Sequence, residues 1–159
     1  MPGKTALDEI DFAIIDALQN NARLSNKELA AAVGLSPSSC LQRVRTLRRM
    51  EVLLDHRVEV NPEALGIGVR ALIDLRMAKS SRACFQKLWD HLFALPAVVA
   101  IYNVSGAFDL QVEVVVRDIG HLRDLVVDSI ANQDEIDRLV TSVVFSSARK
   151  AALPRYTGA

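Results

Sequence analysis

The sequence predicts an α+β fold: an N-terminal winged helix-turn-helix followed by a C-terminal ferredoxin-like β-α-β-β-α-β domain. Two capped helical patterns joined by a single glycine turn predict the first part. Four alternating strand patterns interrupted by two helical patterns predict the second. We expect the helix-turn-helix domain at 1–60, a linker at 61–68, the α+β domain at 69–150 and a tail at 151–159 of the 159 residues.

The first helix is predicted over residues 7–21. Ile10, Ile14 and Leu18 recur at intervals of four, which places them on one face of a helix. Asp8 is the expected N-cap, because a short acidic side chain accepts a hydrogen bond from the free N–H groups of the first turn. This helix should therefore pack its isoleucine stripe against the two helices that follow.

The next two helices are separated by a very short turn. Ser25 and Glu28 have the spacing of a capping box at the start of one helix. Gly34 suits the left-handed conformation that ends it. Ser36 is then an N-cap, and Pro37 takes the first helical position, where its missing N–H costs nothing. Together they predict a helix-turn-helix, which we expect over residues 26–45.

The third helix concentrates positive charge. Residues 36–50 contain four arginines and no acid, although the chain has zero formal net charge. A helical projection gathers an apolar stripe of Cys40, Leu41, Val44 and Leu47, with polar side chains opposite. Arginine binds guanine or phosphate in a bidentate manner, and Ser, Thr and Gln reach base edges or phosphates. A solvated basic face is the simpler interpretation. We favour a surface for double-stranded DNA, with contacts from Ser36, Ser38, Ser39, Gln42, Arg43, Arg45, Thr46 and Arg49.

Residues 52–66 connect the two parts. The alternating stretch 52–60 predicts a strand or a wing of the helix-turn-helix. Asn61 and Pro62 then begin a turn over 61–66. We place the domain boundary here.

The second part alternates strands with helices. Strands are predicted at 69–77, 98–104, 109–117 and 137–148, and helices at 81–95 and 119–133. Both helices of this arrangement lie on one face of the sheet. The opposite face of the first strand presents Arg70, Leu72, Asp74 and Arg76, a mixed surface suited to a second subunit. We expect a homodimer and larger homo-oligomers built from it.

Other kinds of site find little support. Cys40 and Cys84 make no disulfide framework, and His56, His91 and His121 lack metal-ligand spacing, so we expect the last two to be surface residues. The sequence predicts no catalytic residue, no metal and no cofactor. It has no apolar stretch of signal-peptide or membrane-spanning length, which predicts a cytoplasmic protein without a membrane partner.

Two alternative functions remain. Small ferredoxin-like dimers also host enzymes, and Tyr102 and Asp109 could provide polar groups in a cavity. That interpretation leaves the arginine-rich helix unexplained. The second alternative is a protein-interaction module with a non-functional helix-turn-helix, which would show no salt-dependent binding to DNA.

The chain resembles the Lrp/AsnC, or feast/famine, family of transcription regulators over residues 7–150. The segments that carry the resemblance are "LDEID", "ARLSN", "ELAAAVGLSPSSCLQRVRTL", "NPEALG" and "VSGAFD". Their combination in this order is specific, although each alone is weak. The resemblance implies a sequence-specific transcription regulator, whose second domain is a RAM domain that forms dimers, tetramers or octamers.

The resemblance also implies an effector, an amino acid or a related small molecule, bound near the loop from Gly106 to Asp109. Backbone N–H groups of that loop could bind a carboxylate, and Asp109 an ammonium group. A plain hairpin turn is the alternative interpretation. The implied effector residues are Tyr102, Ser105, Gly106, Ala107, Phe108, Asp109, Gln111 and Thr141.

The sequence departs from the family pattern at several positions. Glu51 stands where a glycine usually precedes the wing, and Asp55-His56 replaces a common Gly-Tyr. Ala107 replaces a frequent acidic or polar residue in the implied sensing loop, and Leu139 stands where threonine is common. The helix-turn-helix segment keeps its pattern.

Overall fold

A computed structural model of the chain describes residues 7–54, 58–78, 81–150 and 152–156. The chain forms two compact units, and the second unit is inserted into the first. The first unit comprises the described residues of Met1–Val58 and of Ala148–Ala159, and the second comprises those of Glu59–Ser147.

The first unit contains three helices, α1 (Glu9–Asn20), α2 (Asn26–Ala32) and α3 (Pro37–Arg49). Each begins at the predicted cap. Asp8 caps α1 in a reciprocal capping box with Asp11, and Ser25 does so for α2 with Glu28. The core lies where the three helices meet, and its buried side chains are Ile14, Leu29, Ala30, Cys40, Val44 and Leu47.

Two details of the first unit differ from the prediction. Leu41, assigned to the apolar stripe of α3, is 39% exposed, because it lies at the edge of the stripe rather than between the helices. The strand predicted over 52–60 is also wrong for its described residues, since 52–54 and 58–60 form no strand. Asp55 and His56 lie outside the described residues.

A tight turn after α3 accompanies this irregular segment. Glu51 adopts a left-handed conformation with φ of 57°. Its N–H donates to the Arg48 carbonyl at 2.9 Å, and the Val52 N–H donates to the Leu47 carbonyl at 2.9 Å. This pair of bonds is a Schellman motif, which satisfies the last carbonyls of the helix and turns the chain away from its axis.

The second unit contains one antiparallel sheet in the strand order β2-β3-β1-β4. Its strands are β1 (Val69–Met77), β2 (Val98–Asn103), β3 (Leu110–Val116) and β4 (Ile136–Val143). This order confirms the ferredoxin-like arrangement. One face of the central strands β1 and β3 is fully buried, and its side chains are Ala71, Ile73, Leu75, Leu110, Val112, Val114 and Val116.

Two helical segments cover that buried face. Helix α4 (Arg82–Phe93) packs Leu88 and Leu92 into the core. Helix α5 (Ile119–Asp124) continues as a π-helical turn over Leu125–Ile130, where one uniform helix was predicted. The Ala131 N–H donates to the Val126 carbonyl at 2.7 Å, the five-residue step of a π-helix.

Both described histidines differ from the prediction that they lie on the surface. His91 and His121 are each half-buried. The Nε2 atom of His91 lies 2.7 Å from the Ser129 carbonyl oxygen, so α4 is linked to the π-helical turn. Helical periodicity places His91 next to Leu88 and Leu92, and the second helical segment then covers it.

The C-terminal segment packs on α1. The Leu153 N–H donates to Gln19 Oε1 at 2.7 Å, and Arg155 binds both carboxylate oxygens of Glu9 at 3.0 and 2.5 Å. The Arg155 guanidinium carbon also lies 3.7 Å from the ring centroid of Phe12, a cation–π contact. Residues 152–156 are therefore an integral part of the first unit. None of the described helices is long and apolar enough to cross a membrane.

Candidate nucleic-acid interface and effector loop

The turn between α2 and α3 sets the geometry of the helix pair. Gly34 has φ of 71°, and a Cβ atom there would have no neighbour within 4 Å. The glycine is therefore required by its backbone conformation and not by lack of space. The Leu35 N–H donates to the Ala30 carbonyl at 2.9 Å, which closes the turn. In addition, the Asn26 side chain donates from Nδ2 to the Pro37 carbonyl at 2.8 Å and ties the start of α2 to the start of α3.

The serines at the start of α3 have different tasks. Ser36 Oγ accepts from the Ser39 N–H at 3.2 Å and donates to Ser39 Oγ at 2.9 Å. It also lies 3.1 Å from Ser38 Oγ. Ser36 is thus engaged in capping the helix, and all three serines are exposed.

The face of α3 opposite its core is polar, basic and accessible. Cys40, Val44 and Leu47 are buried, and burial raises the pKa of the Cys40 thiol, consistent with a core cysteine. Among the predicted DNA contacts of α3, Thr46 is half-buried. The exposed ones on this face are Ser38, Ser39, Gln42, Arg45 and Arg49.

Arg43 occupies the edge of α3 that faces α1. Its Nη1 donates to Asp8 Oδ2 and to Asp11 Oδ1, both at 2.8 Å. The pKa of Asp8 lies below its usual value, first because its carboxylate accepts the Asp11 N–H and second because Arg43 donates to it. The same pairing raises the pKa of Arg43. The structure therefore separates Arg43 from Arg45 and Arg49, with which the sequence grouped it.

The implied effector residues fall into three groups in a single chain. Tyr102 and Gln111 are cross-strand partners on the face of the sheet away from the helices. Thr141 lies beside α5, in an apolar groove with Ile119 and Val126. The exposed loop between β2 and β3 forms the third group, so the chain alone does not bring Thr141 to that loop.

Asp109, at the end of the loop, holds three segments together. Its Oδ2 accepts the Met77 N–H at 2.7 Å, and its own N–H donates to the Leu75 carbonyl at 2.9 Å. Its carbonyl accepts the Val104 N–H at 3.0 Å. The Oδ2 atom of Asp109 thus anchors the hairpin to β1, whereas Oδ1 does not take part in that hydrogen bond.

A groove lies beside Asp109 on the helix side of the sheet. It has a volume of about 320 Å³ and is lined by Met77, Ser81, Arg82, Phe85, Asn103 and Asp109. Arg82 supplies a positive charge, Asn103 a carboxamide and Phe85 an apolar surface. Sequence reasoning missed Arg82 and Asn103, because only the packing of α4 against β2 brings them to Asp109.

The rest of the loop is exposed. Gly106 has φ of 124°, so the turn requires glycine there. Ser105 and Ala107 are exposed and Phe108 is half-buried. The Arg138 guanidinium carbon lies 6.0 Å from the Phe108 ring centroid, which links the loop to β4.

The sheet face away from the helices combines charge pairs with apolar side chains. Arg70 pairs with Glu113 at 3.3 Å, and Gln111 donates to Asp74 at 2.9 Å. Leu72 lies between them and is half-buried. Neither α4 nor α5, the helices described in this unit, covers that face. Within the described ranges, no group of three or more His, Cys, Asp or Glu side chains could hold a metal ion.

A capped helix-turn-helix with a basic exposed face, joined to a four-stranded α+β unit, defines a DNA-binding regulatory protein. Residues 7–48 match the AsnC-type helix-turn-helix domain, and residues 70–153 match the Lrp/AsnC ligand binding domain. The chain belongs to the Lrp/AsnC family of transcriptional regulators.

Individual relatives agree with this assignment. The chain is 32% identical to the HTH-type transcriptional regulator AldR of Mycolicibacterium smegmatis, over 92% of this chain and 85% of that protein. It is 29% identical to the leucine-responsive regulatory protein of Escherichia coli K12, over 94% and 91%.

Solved structures show the same fold. A transcriptional regulator of Neisseria meningitidis, determined as a complex with L-Met, superposes with a TM-score of 0.87 at 25% identity, over 94% of this chain and 97% of that chain. AsnC of Escherichia coli superposes with a TM-score of 0.80 at 26% identity, over 96% and 98%. The family predicted from the sequence is therefore confirmed.

Proposed function

We propose that the exposed face of α3 binds the major groove of double-stranded DNA and that this contact gives the regulator its sequence specificity. The observation that carries the proposal is the exposed arrangement of Arg45, Arg49 and Gln42 on a capped second helix of the motif. Glutamine reads adenine edges, and arginines at the rim of such a face bind the DNA phosphates as well as guanine edges. The contacting set comprises Ser38, Ser39, Gln42, Arg45, Thr46 and Arg49, with Ser36 at the N-cap.

The second unit, in this proposal, assembles copies of the chain. The sheet face that carries Arg70, Leu72 and Asp74 is not covered by the described helices of its own unit, and its mixed charges and apolar groups suit a two-fold contact. A homodimer would present two copies of α3 to successive major grooves of one DNA duplex. Tetramers or octamers would follow from further contacts between dimers.

An amino acid or a related small molecule is the proposed effector. The relatives include a leucine-responsive protein and a regulator solved with L-Met. In this chain, Asp109 and Arg82 line one groove with opposite charges, which suits the ammonium and carboxylate groups of an amino acid. Tyr102, Gln111 and Thr141 lie elsewhere in the single chain. They remain proposed contacts, with a neighbouring subunit as the means of bringing them together.

The protein acts, on this proposal, as a cytoplasmic transcription regulator and not as an enzyme. The effector changes DNA affinity only if it binds one assembly of the chain more tightly than another. Residues 1–60 serve DNA binding, 61–68 link the domains, and 69–150 serve assembly and sensing. Residues 152–156 stabilise the DNA-binding unit through their contacts with α1.

The test is binding of the full-length protein to duplex DNA from upstream of its own gene, followed by fluorescence anisotropy at two salt concentrations. Each titration is run with and without a mixture of the twenty amino acids. We expect specific, salt-sensitive binding whose midpoint shifts with the mixture. Absence of specific binding at low salt would contradict the DNA-binding proposal, and a midpoint that ignores the mixture would contradict the amino-acid proposal.

A further inference from the structure

Arg43 is joined to α1 by a closed set of charged hydrogen bonds. Asp8 uses Oδ1 to accept the Asp11 N–H at 2.8 Å, and Asp11 uses Oδ2 to accept the Asp8 N–H at 3.2 Å. These two bonds form the capping box of α1. The remaining oxygen of each carboxylate accepts a bond from Arg43 Nη1 at 2.8 Å. All four carboxylate oxygens therefore have a donor.

This arrangement connects two helices that are far apart in sequence. Arg43 lies near the middle of α3, whereas Asp8 and Asp11 define the first turn of α1. The Asp11 side chain is 17% exposed and that of Arg43 is 33% exposed, so the bridge is partly shielded from solvent. Charge-assisted bonds in such a setting fix geometry as well as adding attraction.

The local charge disfavours a phosphate at this edge. Two carboxylates surround one guanidinium, which leaves the cluster of Asp8, Asp11 and Arg43 with a net negative charge. Arg45 and Arg49 lie on the exposed polar face, away from these acids. A DNA backbone approaching α3 is attracted to the face of Arg45 and Arg49 and repelled at the edge of Arg43.

We infer that Arg43 is a positioning residue, which sets the angle of the recognition helix through Asp8 and Asp11, and that this cluster marks the edge of the DNA footprint. The inference rests on the proposed DNA-binding function. It reassigns one of the arginines that the sequence placed among the DNA contacts. A tilted recognition helix would lose its contacts with the bases, whereas its contacts with the phosphates could re-form. Removing Arg43 would therefore lower the preference for the selected sequence more than the general affinity for DNA.

The test compares Arg43→Ala with Arg45→Ala, a matched variant two residues along the same helix. Binding is measured to the duplex that the wild type selects from a random pool and to a scrambled duplex, over a range of salt concentrations. Circular dichroism first establishes that each variant is folded at the assay temperature.

We expect Arg43→Ala to weaken binding to the selected duplex about tenfold more than binding to the scrambled duplex, since the two uncompensated carboxylates repel both duplexes alike, and we expect an unchanged salt slope. For Arg45→Ala we expect weaker binding to the selected duplex and a slope smaller by about 0.9, the value of one phosphate contact. If Arg43→Ala lowers the slope as Arg45→Ala does, or leaves selected-site affinity unchanged, the inference is wrong.

The variant Asp11→Ala provides an independent test of the same inference. The measured quantity is the ratio of affinities for the selected and the scrambled duplex, because the loss of one repulsive carboxylate strengthens binding to both duplexes alike. If Arg43 positions the helix through Asp11, this ratio falls in Asp11→Ala. A ratio equal to that of the wild type would overturn the inference even if Arg43→Ala failed to fold. A wild-type protein without any DNA binding would instead refute the proposed function on which the inference rests.

Discussion

Two residues in left-handed conformations, one glycine and one glutamate, follow the two helices of the helix-turn-helix, and exchanging their side chains tests how the backbone conformation affects stability. Gly34 ends α2 and Glu51 follows α3, with φ of 71° and 57°. Both helices end in a Schellman motif with the same two hydrogen bonds. We predict that Gly34→Ala destabilises the first unit and that Glu51→Gly stabilises it.

The magnitude follows from the backbone. A left-handed conformation costs an L-residue about 1–2 kcal/mol, and glycine gives back about 0.5–1 kcal/mol through its greater freedom in the unfolded chain. A Cβ at Gly34 meets nothing within 4 Å, so no steric clash adds to that cost. Gly34→Ala should lower the free energy of unfolding by about 1 kcal/mol, and Glu51→Gly should raise it by roughly 0.5–1 kcal/mol.

Thermal and urea unfolding of the full-length protein, followed by far-UV circular dichroism, measures both changes. A change of about 1 kcal/mol shifts Tm by about 2–4 °C in a chain of this size. Trp89 is the single tryptophan and lies in α4 of the second unit, so its fluorescence checks that this unit keeps its native structure. A lower Tm for Glu51→Gly, or an unchanged Tm for Gly34→Ala, would refute the conformational reasoning.

Three further changes test separate contacts. Asn26→Ala removes the side-chain hydrogen bond to the Pro37 carbonyl. We expect the free energy of unfolding, measured with urea, to fall by about 1 kcal/mol and DNA binding, measured by anisotropy, to weaken. If neither quantity changed, Asn26 would have no role in positioning the helix pair. Arg155→Ala should speed hydrogen exchange of the Leu153 N–H, because the tail loses its ion pair with Glu9 and its contact with Phe12; Arg149→Ala is the control, and equal exchange in both variants would show that Arg155 does not hold the tail. In the folded first unit, the carboxylates of Asp8, Glu9 and Glu28 have pKa values below their ordinary values of 3.8 and 4.5. Their contribution to stability is therefore complete above the ordinary values and is lost as the pH falls through the lower folded values, so Tm should be level from pH 7 to about 5 and fall below about pH 4.5. A Tm that rises on acidification would contradict these shifts.

Local patterns in the sequence predicted the elements of the fold well. Helix caps depend on residues three positions apart, so Ser25 and Glu28 define the start of α2 directly. Strand periodicity likewise identified the buried face of β1, and the order of elements identified the sheet. These features need only neighbouring residues and the rule that each apolar face must be covered.

Contacts between distant residues could not be predicted in the same way. Arg43 meets Asp8 across 35 positions, and Arg155 meets Glu9 across 146. A helical projection shows which way Arg43 points, but it contains no information about what lies there. For that reason the sequence grouped Arg43 with the DNA contacts and described the segment after residue 150 only as a tail.

The proposed effector site shows the same limit. The loop was identified by its glycine and by the family resemblance, whereas the bond from the Met77 N–H to Asp109 depends on the pairing of β1 with β3. Arg82 and Asn103 reach the neighbouring groove only because α4 packs on the sheet. Neither residue has a sequence signal of its own.

The central claim is that the exposed face of α3 binds DNA. Its most direct test is the salt dependence of anisotropy-measured binding to the selected duplex, for the wild type, for the double variant Arg45→Ala/Arg49→Ala and for Arg117→Ala, an exposed arginine of the second unit. We predict that the double variant lowers the slope of log K against log salt by about 1.8, two phosphate contacts, while Arg117→Ala retains the wild-type slope. Equal slopes for the wild type and the double variant would show that this face does not contact DNA.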